Sequence, residues 1–173
     1  MKSILRTAAR RFWLLAALPT LVLLAPACKK NQISDEEQIS NYISANKLSK
    51  AQRQPSGLYY VPVLVDSTKT QAQATAGRIV SVLYTGSLLD GSVFDASSRH
   101  PTQTANGPVI EPLSFVLGRR QVIAGWDEGI ALMRKGEKGI LLIPSALAYG
   151  SQGQSGIPAN SVLRFDVTLT EVK

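Results

Sequence analysis

The chain has 173 residues, of which 45% are hydrophobic, 18% charged and 6% aromatic. This length suits one domain with a short appendage, and the composition excludes a disordered or collagen-like chain. The formal charge of +7 would favour nucleic acid or an anionic membrane as a partner if it were spread over one folded face. A single cysteine excludes an internal disulfide framework, and a single histidine argues against a Cys/His zinc site.

The N-terminal segment has the pattern of a secretory signal. Residues 1–11 carry four basic side chains and no acid, and residues 12–25 form an apolar run interrupted only by Pro19 and Thr20. At about 14 residues this run is short for a membrane span, which needs about 20, so a permanent transmembrane helix is the weaker interpretation. Because four of the 19 basic residues belong to this signal, 15 basic and 12 acidic residues remain in the rest of the chain.

Residues 24–28 (LAPAC) end this segment, and Cys28 is the only thiol of the chain. This ending resembles a bacterial lipoprotein signal, in which small residues precede a cysteine that is lipidated and becomes the mature N-terminus. The resemblance implies a signal peptide over residues 1–27 and a membrane anchor at Cys28. The folded part would then face the periplasm or the exterior in a bacterial cell envelope. An ordinary signal peptide or a free thiol is the alternative.

Residues 28–56 are expected to form a tether and a short helix. Ser34 and Glu37 have the spacing of a capping box, and acids fill the first turn between them. Apolar side chains then share one helical face: Ile39, Tyr42 and Ile43. We expect a helix of about a dozen residues whose apolar face packs against its own domain, with a partner-binding helix as the alternative.

Strand patterns dominate residues 57–173. Apolar alternation and β-branched residues predict strands over residues 58–64, 78–85, 113–117, 137–143 and 162–172. Pro62 marks an edge or a bulge in the first strand, and Asp90-Gly91 is a turn signal. The sum is an α+β domain with an antiparallel sheet.

Two further segments complete this domain. Residues 122–133 carry apolar side chains three and four apart, which predicts one short amphipathic helix that ends at Gly136. Residues 96–112 are polar and contain three prolines, which predicts a long exposed loop.

Three other motifs point to no chemistry of their own. The glycines of residues 150–156 lack the lysine and hydroxyl residue of a phosphate-binding loop and predict a flexible loop. His100 lies in the long loop without a Gly-x-Ser-x-Gly motif, so we expect a surface histidine rather than hydrolase chemistry. The pairs Arg119-Arg120 and Arg134-Lys135 lack interleaved aromatic residues and predict solvated faces, not nucleic-acid contacts.

Several stretches together resemble the FKBP-type peptidyl-prolyl cis-trans isomerases. In chain order they are residues 82–86, 90–95, 115–118, 122–129, 143–144, 148–150 and 163–167. The resemblance covers about residues 57–173 and includes spacing as well as residue types. It implies an antiparallel sheet of five to six strands wrapped around one short helix, here preceded by the short N-terminal helix.

The resemblance also implies a pocket for the proline of a polypeptide. Catalytic roles would fall on Tyr84, Phe94, Asp95, Tyr149 and Phe165. Substrate-binding roles would fall on Val122, Ile123, Trp126, Ile157, Leu113, Gln121 and Gln154. Singly, each aromatic residue would suit an ordinary core, whereas the Asp95 carboxylate and the Tyr149 hydroxyl among apolar groups are typical of a ligand site.

Rotation about an X–Pro bond needs few functional groups. Its barrier of about 18–20 kcal/mol comes from the partial double-bond character of the C–N bond, and no bond breaks. An apolar cradle that binds the twisted amide better than either planar isomer lowers this barrier. By resemblance, the Ile123 N–H and the Tyr149 hydroxyl would hold the flanking carbonyls, and no metal, nucleotide or other cofactor is implied.

The expected substrates are proline-containing unfolded or partly folded exported polypeptides, with macrolides as further ligands. The alternative is a chaperone-like binding module that uses the same pocket, or the loop of residues 96–112, without significant catalysis. Leu113, Gln121 and Gln154 depart from residues common in the family at the pocket rim. Macrolide affinity and the preference for the residue before proline therefore stay open, as does the role of the long loop.

Overall fold

Helix α1 (Asp35–Ala45) is the first element of residues 33–173, the part of the chain that the computed structural model describes. Ser34 is its N-cap, and the Ser34 Oγ accepts the Glu37 N–H at 3.2 Å. The expected helix and its serine cap are confirmed. Cys28 and the signal segment lie outside the described residues.

The apolar face of α1 packs against the strands rather than standing free. Ile39 is fully buried in a small core whose other buried members are Val61, Ile140, Leu142 and Val162. The first turn adds polar contacts, because the Asp35 carboxylate accepts both the N–H and the hydroxyl of Ser145 at 2.7 Å. The predicted packing of this helix on its own domain is confirmed.

Seven antiparallel strands form the main sheet, in the order β1-β2-β8-β9-β3-β4, with β7 also paired to β3. They are β1 (Gln52–Arg53), β2 (Tyr59–Leu64), β3 (Ile79–Leu88), β4 (Val93–Ala96), β7 (Leu113–Val116), β8 (Lys138–Ile143) and β9 (Leu163–Val172). The predicted antiparallel architecture is confirmed. Its sheet has more than five or six strands because β1 and β4 are too short to show apolar alternation in the sequence.

Strand β2 follows the prediction at its proline. Pro62 pairs with Gly139 of β8, and the register shifts between Pro62 and Leu64, which is the expected irregularity. Successive residues of β2 and β8 face opposite sides of the sheet, so one side meets α1 and the other meets the main core.

Helix α2 (Ala124–Ala131) packs on the main-core side through Trp126 and Ile130. The predicted end at Gly136 is wrong. The Gln73 amide nitrogen donates to the carbonyls of Ala131 and Met133 at 2.7 and 3.0 Å, and the helix ends there. Ala131 is the last residue of the helix, so its carbonyl has no partner within the helix, and Gln73 satisfies it from a distant part of the chain.

Residues 96–112 contain a β-hairpin, so the prediction of a plain loop is wrong. A 3-10 turn over Ser97–Arg99 leads into β5 (Pro101–Thr104) and β6 (Gly107–Ile110), which pair only with each other within the described chain. Ala105 and Asn106 form the turn, and Gly107, with a φ of 104°, follows it as the first residue of β6. The expected exposure is confirmed, because almost every residue of this hairpin is exposed.

Neither helix within residues 33–173 has the length and apolar character needed to cross a membrane.

Candidate active site

A cavity of about 340 Å³, called the pocket below, lies over helix α2 and is bordered by strands β3, β4, β7 and β9. All twelve residues to which the sequence assigned catalytic or binding roles line it. They are Tyr84, Phe94, Asp95, Leu113, Gln121, Val122, Ile123, Trp126, Tyr149, Gln154, Ile157 and Phe165. Their individual roles stay predictions. Ser155 also lines the pocket, and the sequence analysis missed it.

Trp126 is the centre of a cluster of aromatic rings beneath the pocket. Its ring centroid lies 5.0 Å from that of Tyr84 and 5.2 Å from that of Phe165, with interplanar angles of 79° and 84°. Phe94 meets Phe165 in the same edge-to-face manner at 5.5 Å and 81°. Such contacts fix ring orientation, so the walls of the pocket are held by one another.

Gly86 makes room for two of these rings. Strand β3 pairs Gly86 with Asp95 on one side and Phe165 on the other. A Cβ atom on Gly86 would lie 2.6 Å from Phe165 Cε1 and 2.7 Å from Phe94 Cε2. The pocket therefore depends on a residue that does not line it, and nothing in the local sequence pattern identifies this role.

Asp95 at the pocket edge is held by three hydrogen-bonding groups. The Tyr84 hydroxyl donates to Oδ2 at 2.7 Å, the Ala96 N–H donates to Oδ1 at 2.8 Å, and His100 Nε2 lies 2.7 Å from Oδ1. Burial opposes ionisation of Asp95, but these hydrogen bonds outweigh it and hold its pKa below the usual value. The carboxylate is therefore charged and fixed in direction.

His100 has a partner that the sequence analysis did not foresee. Its side chain is 66% exposed, as expected of a surface histidine, yet it contacts Asp95 directly. The contact arises because the 3-10 turn Ser97–Arg99 brings residue 100 back towards residue 95. The length of the intervening segment alone does not reveal this return.

Both tyrosines of the pocket remain protonated at neutral pH. Burial and the hydrogen bond to Asp95 raise the pKa of Tyr84, and burial together with the Asp95 charge raises the pKa of Tyr149. Each therefore has a hydroxyl hydrogen, which Tyr84 uses for Asp95. Tyr149 also lines the pocket and lies in the loop after β8.

The N-terminus of α2 presents backbone to the pocket. Ile123 is the N-cap, and its carbonyl accepts the N–H of Trp126, whereas its own N–H precedes the helical hydrogen-bond ladder. Isoleucine has no side-chain oxygen that could accept an N–H of the first helical turn. At this position the chain therefore has an apolar side chain that lines the pocket instead of a residue that stabilises the helix end. Asp127 secures the preceding turn by accepting the N–H groups of Gly118 and Arg120.

The glycine-containing segment of residues 150–156 is a loop, as predicted, and it contains hydrogen-bonded turns; its flexibility stays a prediction. A 3-10 turn covers Gly150–Gln152, and Gln154 and Ile157 exchange backbone hydrogen bonds of 2.9 and 2.7 Å. Gly153, with a φ of 63°, packs so closely on residues 157–159 that a Cβ would lie 2.6 Å from the Ile157 oxygen. This small turn holds Gln154 and Ile157 against the pocket.

Comparisons with known proteins agree with this geometry. Residues 70–170 match the family model described as FKBP-type peptidyl-prolyl cis-trans isomerase. The chain is 50% identical over 107 residues to FK506-binding protein 2 of Candida glabrata, covering 61% of this chain and 72% of that protein. It is 39% identical over 145 residues to the FKBP-type peptidyl-prolyl cis-trans isomerase FkpA of Aeromonas hydrophila, covering 83% of this chain and 49% of that protein.

Solved structures show the same fold. FkpA from Escherichia coli matches with a TM-score of 0.66 and 36% identity over 81% of this chain and 59% of that one. AtFKBP13 matches with a TM-score of 0.60 and 33% identity over 71% of this chain and 98% of that one. The chain belongs to the FKBP-type peptidyl-prolyl cis-trans isomerase family, and isomerisation of X–Pro bonds is the function that this membership supports. It spans about half the length of the Aeromonas FkpA that it matches.

Proposed function

We propose that the protein accelerates rotation about X–Pro bonds in unfolded or partly folded exported polypeptides. The observation that carries this proposal is the convergence of all twelve sequence-assigned residues on one cavity. A proline ring placed over Trp126 leaves water, and an amide that has left water loses stabilisation of its charge-separated resonance form. Rotation of the C–N bond becomes easier without any covalent step.

The polar groups of the pocket suit the twisted amide. The Ile123 N–H and the Tyr149 hydroxyl are the donors for the flanking carbonyls. The fixed Asp95 carboxylate and the ring edges of Tyr84, Phe94 and Phe165 surround the rotating carbonyl. Only interactions that are stronger with the twisted form than with the planar isomers lower the barrier, so the rigidity of these groups matters more than their number.

A peptide assay tests the activity. The purified protein should accelerate cis-to-trans isomerisation of a short X–Pro peptide, followed in a protease-coupled assay, and Phe94→Ala should reduce kcat/KM at least tenfold. Absence of any acceleration by the wild-type protein would sink the proposal. Retention of aggregation suppression by a Phe94→Ala variant that has lost isomerase activity would instead favour the binding-module alternative.

We also propose that the protein is a lipoprotein of a bacterial cell envelope, acylated at Cys28. The support is the sequence of residues 1–28, with its basic start, apolar run and lone cysteine. Mass spectrometry of the N-terminal peptide from the cell envelope should find acyl chains on Cys28, and Cys28→Ser should release the protein from membranes. An unmodified Cys28 in the envelope fraction would overturn this proposal.

A macrolide is the further ligand we propose for the pocket. The support is the aromatic lining and the relationship to proteins named FK506-binding. FK506 should inhibit the peptide assay competitively. Leu113, Gln121 and Gln154 at the rim set how tightly it binds, and Gln121 is already engaged because its Oε1 accepts the Val116 N–H at 2.7 Å.

A further inference from the structure

A second cavity, of about 210 Å³, adjoins the pocket on the side of the β5–β6 hairpin. We call it the hairpin cavity. Tyr84 and Leu113 line both spaces, so the two are neighbours across these side chains. The rest of the hairpin cavity is lined by Ser97, His100, Thr102, Glu111 and Pro112. The segment of residues 96–112 therefore builds a recess beside the predicted proline site.

This recess has polar side chains and one carboxylate, that of Glu111, at its wall. The Thr102 hydroxyl donates to Glu111 Oε2 at 2.9 Å, which holds the carboxylate at the base of the hairpin and leaves Oε1 for another donor. On the pocket side, the ionised Asp95 contacts His100 at 2.7 Å. Glu111 is thus the carboxylate that lines the hairpin cavity, and Asp95 lies behind the lining residue His100.

Opposing positive charge is scarce at this point. No lysine or arginine of the described residues 33–173 lines the hairpin cavity. Arg99 is next to His100 in the chain, but its guanidinium donates to the carbonyls of Val93 and Phe94 at 3.1 and 2.9 Å. With the Glu111 carboxylate in its wall and no lysine or arginine in its lining within residues 33–173, the recess therefore favours a cation.

We propose that the hairpin cavity is a subsite for a lysine or arginine side chain adjacent to the substrate proline. Glu111 is the residue that determines this specificity. This inference rests on the proposed function, because it assumes that the proline of the same polypeptide occupies the pocket. A long basic side chain is suited to the recess, since its methylenes can lie on Tyr84 and Leu113 while its charged end reaches Glu111.

Two peptide series test the subsite. One series varies the residue before proline among lysine, leucine and glutamate, and the other varies the residue after proline in the same way. A protease-free assay at pH 8 and low salt gives kcat/KM for each peptide with the purified protein. In one of the two series we expect the lysine peptide to exceed the glutamate peptide about tenfold, and this ratio should shrink at 0.5 M salt.

Glu111→Gln should bring the lysine-to-glutamate ratio down about three- to tenfold. Glu37→Gln is the matched control, because it removes the same charge at an exposed position on α1, and it should keep the wild-type ratio. Equal losses in the two variants, or no lysine preference in either series, would overturn the subsite.

Binding separates the failure of this inference from the failure of the proposed function. If no peptide is isomerised, the isomerase proposal is overturned. Calorimetric dissociation constants for the same peptides still decide the subsite: tighter binding of the lysine peptide that Glu111→Gln weakens supports it, and equal constants for lysine, leucine and glutamate contradict it.

Discussion

Asp95 shows how single residues set the electrostatics of the pocket. Its carboxylate is half enclosed, and its ionised form depends on donors from Tyr84, His100 and the Ala96 backbone. A group whose pKa is lowered by folding stabilises the protein above its unfolded pKa, and this contribution disappears as the pH falls through its folded pKa. The decrease in unfolding free energy at acidic pH should therefore depend on these three hydrogen-bond donors.

Replacement of His100 by alanine should raise the pKa of Asp95, because one of its hydrogen bonds is lost. Carbon-13 NMR of the carboxyl group measures this directly. The pH-dependent part of the unfolding free energy should shrink, and its loss on acidification should be complete at a higher pH than in the wild type.

Asp90 is an internal control for the His100→Ala experiment. Hydrogen bonds from Ser92 lower the pKa of Asp90, and these bonds do not involve His100. The titration of Asp90 should be unchanged in the variant. An unchanged titration of Asp95 would show that His100 does not help to hold its charge.

Gly86→Ala should damage the pocket without removing any of its lining residues. The added methyl group would collide with the rings of Phe94 and Phe165, which would tilt them away from their edge-to-face contact. We expect kcat/KM in the peptide assay to fall at least tenfold while the far-UV circular dichroism stays that of the wild type. Full activity in a folded Gly86→Ala protein would contradict the geometric role given to Gly86.

Among the secondary-structure elements, α2 has a low intrinsic helix propensity but packs closely on the sheet. Gly125 and Gly129 on its buried face bring it against β8, where added Cβ atoms would lie 2.4 Å from Ile143 Cγ2 and 2.6 Å from Leu141 Cδ2. Glycine costs a helix about 1 kcal/mol relative to alanine. The closeness of the helix to the sheet, which positions Trp126 under the pocket, offsets this cost.

Gly125→Ala should therefore destabilise the protein despite its better helix propensity. Ile143 is β-branched and fully buried, so it cannot turn away from the new methyl group. Overpacking of this kind costs about 1–3 kcal/mol, and after the gain of about 1 kcal/mol in helix propensity we expect a net loss of up to about 2 kcal/mol in the urea-derived unfolding free energy. Ser40→Ala, at an exposed position of α1, should leave that free energy unchanged or slightly higher, and equal stability of the two variants would refute the packing argument.

The sequence was informative wherever the determining contacts were local or the elements were long. Apolar alternation identified β3 and β9, a continuous apolar run identified β8, and the Ser34 cap identified the start of α1. The end of α2 was not predictable in this way, because the carbonyl of its last residue is satisfied by Gln73, about 60 residues earlier, and not by a local capping residue. The hairpin of residues 101–110 was missed because both faces of its strands are exposed, so burial produces no alternation of apolar and polar residues in them.

The residues that line the pocket could be predicted from the sequence, but the residues that hold them in place could not. The twelve lining residues follow from a resemblance in residue type and spacing. The roles of Gly86, His100 and Ser155 depend on the paths of β3 and the 3-10 turns, which bring distant residues within contact. Contacts between residues that are distant in the sequence cannot be predicted from a local pattern of residue types.

For the molecule as a whole, α1 is joined to the body by several polar contacts in addition to its apolar face. Glu36 accepts hydrogen bonds from Arg53 and Tyr59, and the Tyr42 hydroxyl accepts one from Arg164. A further link is made by Asp35 in the first turn. Asp35 accepts two hydrogen bonds from Ser145, which follows β8 and begins the segment leading to Tyr149. Asp35→Ala should reduce the unfolding free energy by about 1–3 kcal/mol, because the partly buried Ser145 N–H loses its acceptor. Urea unfolding followed by circular dichroism measures the change.

Glu37→Ala is the control for the Asp35 experiment. Glu37 also lies in the first turn of α1 and is exposed, so it shares the helix-dipole contribution but not the link to Ser145. Its loss should cost less than about 0.5 kcal/mol. Equal effects of the two substitutions would show that the contact with Ser145 contributes nothing.

The docking of α1 also limits how far the enzyme could travel if Cys28 is acylated. Only five peptide links separate Cys28 from Ile33. A fully extended chain spans at most about 3.6 Å per residue, so this linker could span no more than about 18 Å. Since α1 packs against the sheet, its residues do not add to the length of this linker. Catalysis would then be confined to a thin layer along the bilayer, and its rate would depend on how many molecules share each patch of membrane rather than on their concentration in the surrounding volume.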